Sequence, residues 1–78
     1  MLNKRRRMQG AERRLRERIQ AILGQADKAL APRAARDIEN EILALLREYS
    51  QAPDSRRDEV YARGEDRILH TLQKAIHP

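Results

Sequence analysis

The stretch Ala35-Arg36-Asp37-Ile38-Glu39-Asn40-Glu41-Ile42-Leu43-Ala44-Leu45-Leu46-Arg47-Glu48-Tyr49-Ser50-Gln51-Ala52 decides the fold class. Ala35, Ile38, Ile42, Leu45, Tyr49 and Ala52 recur at alternating steps of three and four, with Leu46 beside them. That spacing places apolar side chains on one face of an α-helix for more than two heptads, like the seam of a coiled coil.

On either side of this stretch, Pro32 and Pro53 divide the chain into three stretches of similar length. Before Pro32, Ala11, Leu15, Ile19, Ile22, Ala26 and Ala29 recur at helical spacing, with Leu23 and Leu30 widening the stripe. The pattern predicts a helix over about 11–30, weakened at its centre by Gly24 unless a close helix crossing uses the missing side chain. Ala31-Pro32 is the sole break before the second helix, expected over about 33–50, and proline suits a first helical position because its missing N–H has no partner there. After Pro53, Ser55-Arg56-Arg57-Asp58 has the form of a capping box with aspartate in place of glutamate. A third helix is expected over about 56–76, its stripe running through Tyr61, Ile68, Leu69, Leu72, Ala75 and Ile76. Gly64 reads as a soft point in it, and Glu65 as a polar interruption.

The expected fold is therefore all-α: three amphipathic helices in a small bundle or helical hairpin. Residues 1–10 form a basic flexible leader, and 11–78 a single helical domain. Phe, Trp and Cys are absent, and Tyr49 and Tyr61 are the two aromatics. A core of Leu, Ile, Val and Ala in 78 residues is small, so completion by dimerisation or by a partner chain is expected. The packing or oligomer seam comprises Leu15, Ile19, Ile22, Ile38, Ile42, Leu45, Leu46, Tyr49, Ile68, Leu72 and Ile76.

Charge is polarised. Of 17 cations, 14 are Arg, and Lys4, Arg5, Arg6, Arg7, Arg13, Arg14, Arg16 and Arg18 fall in the first 18 positions against Glu12 and Glu17. The remaining 60 residues are near neutral, although the whole chain is +5. A concentrated positive end attracts an anionic partner, and guanidinium forks bind phosphate or carboxylate bidentately. Spacing lets Glu12 pair with Arg16 and Arg13 with Glu17, so part of this charge is compensated internally. The eight cations are the candidate anion-binding set.

The segment Glu12-Arg13-Arg14-Leu15-Arg16-Glu17-Arg18-Ile19, preceded by Arg5-Arg6-Arg7 and followed by Leu23, Leu30 and Pro32, resembles the basic region and first helix of basic helix-loop-helix transcription factors. The likeness covers about the first 32 residues and implies base reading by Glu12, with Arg13 and Arg16 on phosphates. The chain departs from that pattern at Met8, at Leu15 and in its nearly missing loop. Glu17-Arg18-Ile19-Gln20-Ala21-Ile22-Leu23 with Pro32, Asp37, Ile38 and Ile42 is similar to the helical segment of the cell-division factor MinE, which implies strands near the C-terminus.

No Gly-rich phosphate loop, Ser/His/Asp set or metal-ligand spacing is present, so neither catalysis, a cofactor nor a small-molecule substrate is expected. His70 and His77 lie about 10 Å apart along a helix and cannot share one metal ion without another chain. The leader lacks the aromatic anchors and continuous apolar face of an interfacial helix, which disfavours a membrane surface. With no apolar run long enough for a signal peptide or a span, the expected location is cytoplasmic. The expected function is that of a small regulatory or interaction protein whose arginine arm docks on an anionic partner. A DNA or RNA backbone comes first, and the alternative is an adaptor, inhibitor or chaperone acting through its apolar seam on an acidic protein patch.

Overall fold

The computed structural model describes residues 2–77, and the side chains of 10–77. Three helices follow one another: α1 over Leu2–Ala26, α2 over Pro32–Gln51 and α3 over Arg57–Ile76, with a 3-10 turn at Asp54–Arg56 leading into α3. The fold is all-α, and no strand occurs among the described residues. The C-terminal region is α3, so the strands that the MinE likeness implies are not there. At 1.5 Å per residue α1 is about 37 Å long, which accounts for the 38 Å long axis of a body 18 by 17 Å across.

The stripes become the core. Ala11, Leu15, Ile19 and Leu23 from α1, Ile38, Ile42 and Leu45 from α2, and Ile68, Leu72 and Ile76 from α3 are buried. Ile22, Leu46 and Tyr61 are partly buried against that cluster, and Tyr49 is half-buried. The helices α2 and α3 make the closest pairing, and α1 approaches each of them less extensively.

The helix ends differ from the sequence expectation in ways that have physical causes. Helix α1 begins at Leu2 rather than near residue 11, so from Leu2 on the expected flexible leader is helical, and it stops at Ala26 rather than near residue 30, so Ala29 and Leu30 fall in the connection. Asp27 takes a left-handed backbone, φ 53°. Its N–H donates to the Gly24 carbonyl at 3.2 Å, and the Lys28 N–H donates to the Leu23 carbonyl at 3.0 Å. These two bonds close a Schellman motif that satisfies carbonyls the helix end would otherwise leave unpaired. The break is thus the five residues 27–31, of which Ala31-Pro32 is the last part. Leu30 still folds back, partly buried against the core.

Helix α2 starts with Pro32 at its first position and no side-chain cap, and Ala31 provides the extended entry at ψ 151°. It ends because Pro53 disfavours the α conformation for Ala52, which is extended at ψ 144° while its N–H still bonds to Glu48. The expected capping box at Ser55 does not form: Arg56 is the N-cap of α3, with no side-chain cap bond, and Ser55 lies within the 3-10 turn. That turn is closed by the Arg56 N–H on the Pro53 carbonyl at 2.9 Å.

Gly64 is not a soft point. A Cβ built there would stand 2.9 Å from Leu45 Cγ, so where α3 passes α2 any larger residue would have to displace the Leu45 side chain. Gly24, in contrast, has nothing within 4 Å of the corresponding position, and no helix crossing exploits it.

Candidate anion-binding surface

Along α1 the cations separate into two kinds. Arg16 donates from Nη1 and Nη2 to the two carboxylate oxygens of Glu39, at 2.8 Å each, and from Nη2 to Glu12 at 3.2 Å. The fork ties α1 to α2 and holds Glu39 below the usual carboxylate range, chiefly through the hydrogen bonds from Arg16. The Arg16 guanidinium is correspondingly pushed upward. Arg18 reaches the other neighbour, donating to Glu65 of α3 at 3.1 Å.

Arg13 and Arg14 are exposed. Among the described residues neither makes an ion pair, and the Arg13–Glu17 pairing expected from spacing is not formed. Glu12–Arg16 is formed, as its i, i+4 spacing predicts. Lys4, Arg5, Arg6 and Arg7 lie on α1, but their side chains fall outside the described residues. Arg6 and Arg13, and Arg7 and Arg14, are seven residues apart on that one helix. Two turns separate the members of each pair, by about 10 Å along the axis.

Where the start of α3 meets the end of α2, the structure holds a cluster that the stripe analysis did not single out. Arg57 is the buried charged residue of the described core, 7% exposed. Its Nη1 lies 2.6 Å from Asp54 Oδ1, and its guanidinium carbon stands 5.8 Å from the centre of the Tyr49 ring. Tyr49 and Tyr61 meet edge to face at 6.3 Å and 75°. The Tyr61 hydroxyl donates to the Ala11 carbonyl at 3.4 Å, which links α3 to α1. Burial, and then the Glu65 carboxylate nearby, push the Tyr61 phenol up. No helical spacing announces Arg57, because its partners Tyr49 and Asp54 lie in α2 and in the 3-10 turn.

Helix α2 carries a further feature that segment-wise charge counting conceals. Arg33, Arg36, Asn40, Leu43 and Arg47 recur at steps of three and four on the face opposite Ile38, Ile42 and Leu45, and all five are exposed.

Between α1 and α2 a surface groove of about 200 Å³ has Ile19, Ile38 and Ile42 in its floor and the Arg16–Glu39 pair on its rim. Small-molecule sites usually begin near 300 Å³, and this groove has no convergent set of titratable groups. Among the described residues no three His, Asp or Glu side chains come together as metal ligands. Among the same residues no helix is long and apolar enough to cross a membrane.

Comparison with protein-family models, with curated proteins and with solved structures found no match. The surface of α1 carries its own chemistry. It offers arginines in two states: Arg16 and Arg18 spend their charge on the bundle, while Arg13 and Arg14 present guanidinium forks to solvent.

Proposed function

We propose that this chain is a non-enzymatic interaction protein that docks on an anionic partner through the arginine-rich half of α1, and that a nucleic-acid backbone is that partner. The observation that carries the reading is the exposure of Arg13 and Arg14, neither of which makes an ion pair among the described residues, on the same helix as Arg5, Arg6 and Arg7. Exposed forks such as those of Arg13 and Arg14 suit phosphate oxygens, whereas the paired Arg16 and Arg18 would have to exchange their carboxylates for the ligand.

Contacts of this kind are dominated by the backbone and carry little sequence information. The chain has no Phe or Trp, and its two tyrosines pack against each other, so base stacking contributes nothing and a duplex is the fitting form. The proposal places the protein in the cytoplasm, as a homodimer or with a helical protein partner. The small aliphatic core supports that last element, since it leaves a 78-residue fold near the lower limit of independent stability.

The test is a titration of a short random-sequence DNA duplex, followed by fluorescence anisotropy from low to moderate salt. Binding should weaken with a log–log slope of about −0.9 per neutralised phosphate, and Arg13→Gln/Arg14→Gln should reduce that slope by up to about two. A protein that ignores duplex at low salt, or a double variant that binds as the parent does, would refute the reading and favour an acidic protein partner for the arm.

A further inference from the structure

The outer face of α2 has no part in the core and none in the α1 arm. From Arg33 to Arg47 it extends about 21 Å along the helix, and its members Arg33, Arg36, Asn40, Leu43 and Arg47 include no acid. The acids of α2 lie elsewhere. Glu39 receives Arg16, and Glu41 receives the Thr71 hydroxyl at 2.9 Å, so both are turned toward neighbouring helices. Asp37 and Glu48 flank the stripe at its edge. Among the described residues no ion pair engages Arg33, Arg36 or Arg47. Leu43, 49% exposed, is the exposed large hydrophobic side chain, and it stands inside this row of cations.

What distinguishes this face is its charge: three exposed arginines that make no ion pair among the described residues bracket Leu43, with no acid in the row itself. We infer that this face is a docking site for an acidic amphipathic helix of another protein, with Leu43 covered by an apolar side chain and Arg33, Arg36 and Arg47 meeting carboxylates on either side of it. Apolar anchor and flanking charge are how a helix recognises a helix: the anchor supplies burial, and the charges set register and partner. Phosphate backbones would leave Leu43 without a contact. An interfacial membrane site would need a continuous apolar face rather than a single leucine. A second copy of this chain is a poor complement, because the outer face of α3 mixes signs through Glu59, Arg63, Asp66, His70 and Lys74.

The experiment is anisotropy with a fluorescein-labelled, Glu-rich helical peptide of about four turns carrying one leucine stripe, beside the same peptide with its leucines replaced by serine. Arg33→Gln/Arg36→Gln/Arg47→Gln should weaken binding about tenfold, through three lost exposed charge pairs and the loss of steering. Leu43→Ser should weaken it about fivefold, and the serine peptide should lose the same factor against the parent protein. Circular dichroism should stay unchanged, because none of the four positions is in the core. Arg13→Gln/Arg14→Gln should leave peptide affinity intact, which separates this site from the duplex-binding arm. The inference is overturned if the parent binds no peptide below about 1 mM. It is equally overturned if the α2 variants bind peptide as the parent does, or if they lose DNA duplex and not peptide.

Discussion

The side chain of Leu45 occupies the space that a Cβ of Gly64 would need, with Cγ 2.9 Å from that position. This approach fixes how α2 and α3 pair. Leu45 is 3% exposed, so the core around it leaves little room for it to move aside.

Alanine at the two helical glycines should therefore have opposite effects. Gly64→Ala gains about 1 kcal/mol of helix propensity but overpacks the core by about 1–3 kcal/mol, a net loss of about 1 kcal/mol. Gly24→Ala meets nothing within 4 Å and should keep most of the gain. Thermal unfolding followed by circular dichroism would show the pair as midpoints displaced in opposite directions, each by about 4–8 °C per kcal/mol. Equal shifts of the same sign would show that α2 and α3 can separate without penalty.

The Arg16–Glu39 fork should make stability depend on acid pH. Glu39 has a folded pKa below its unfolded value, so its contribution is present above the unfolded carboxylate range, near about 4.3, and is lost as pH falls through the folded value. Both side chains are more than two-fifths exposed, which holds the coupling to at most about 1 kcal/mol. Urea melts of the parent and Glu39→Gln should accordingly differ at pH 7 and converge once the pH has fallen below the lowered folded pKa of Glu39. A gap that stays constant with pH would mean the carboxylate charge contributes nothing to the bundle.

These two sites show where sequence reading succeeds and where it stops. Leu15, Ile19, Ile38, Ile42, Leu45, Ile68, Leu72 and Ile76 were legible because a 3.6-residue period alone determines which side of a helix faces inward. The Arg16–Glu12 pair was legible for the same reason, being local to one helix. Arg16–Glu39 and Gly64–Leu45 were not, because each joins two helices whose mutual register depends on how all three pack. Arg57 was hidden by the base expectation that arginine faces water, and its burial depends on a tyrosine eight residues upstream and an aspartate in a turn. The α2 face was visible in the spacing but lost when charge was summed by segment.

At the end of α1, Asp27 bears the left-handed conformation that the Schellman motif requires at φ 53°. Asp27→Gly relieves part of the ~1–2 kcal/mol such a backbone costs an L-residue and loses about 0.4–1 kcal/mol to the freer unfolded chain, leaving a gain of about 0.5 kcal/mol. Asp27→Val, β-branched and without a local hydrogen-bonding group, should lose about 1 kcal/mol instead. The ordering Gly, Asp, Val in urea midpoint is the readable outcome. Val as stable as Asp would imply that the α1–α2 connection relaxes freely.

Arg57 separates packing from charge. Its Nε is buried without a hydrogen-bond partner, so the guanidinium carries a desolvation cost that Asp54, itself 83% exposed on its side chain, offsets only in part. The aliphatic stem and the ring contact with Tyr49 are the favourable share. Arg57→Met keeps a similar volume and removes the orphaned donor, and Asp54 is left in water rather than stranded, so stability should be unchanged or higher by up to about 1 kcal/mol. Arg57→Ala removes the volume as well and should cost about 2 kcal/mol. If methionine proved as damaging as alanine, the charge and not the packing would be what joins α3 to the end of α2, and Asp54→Asn should then reproduce most of the loss.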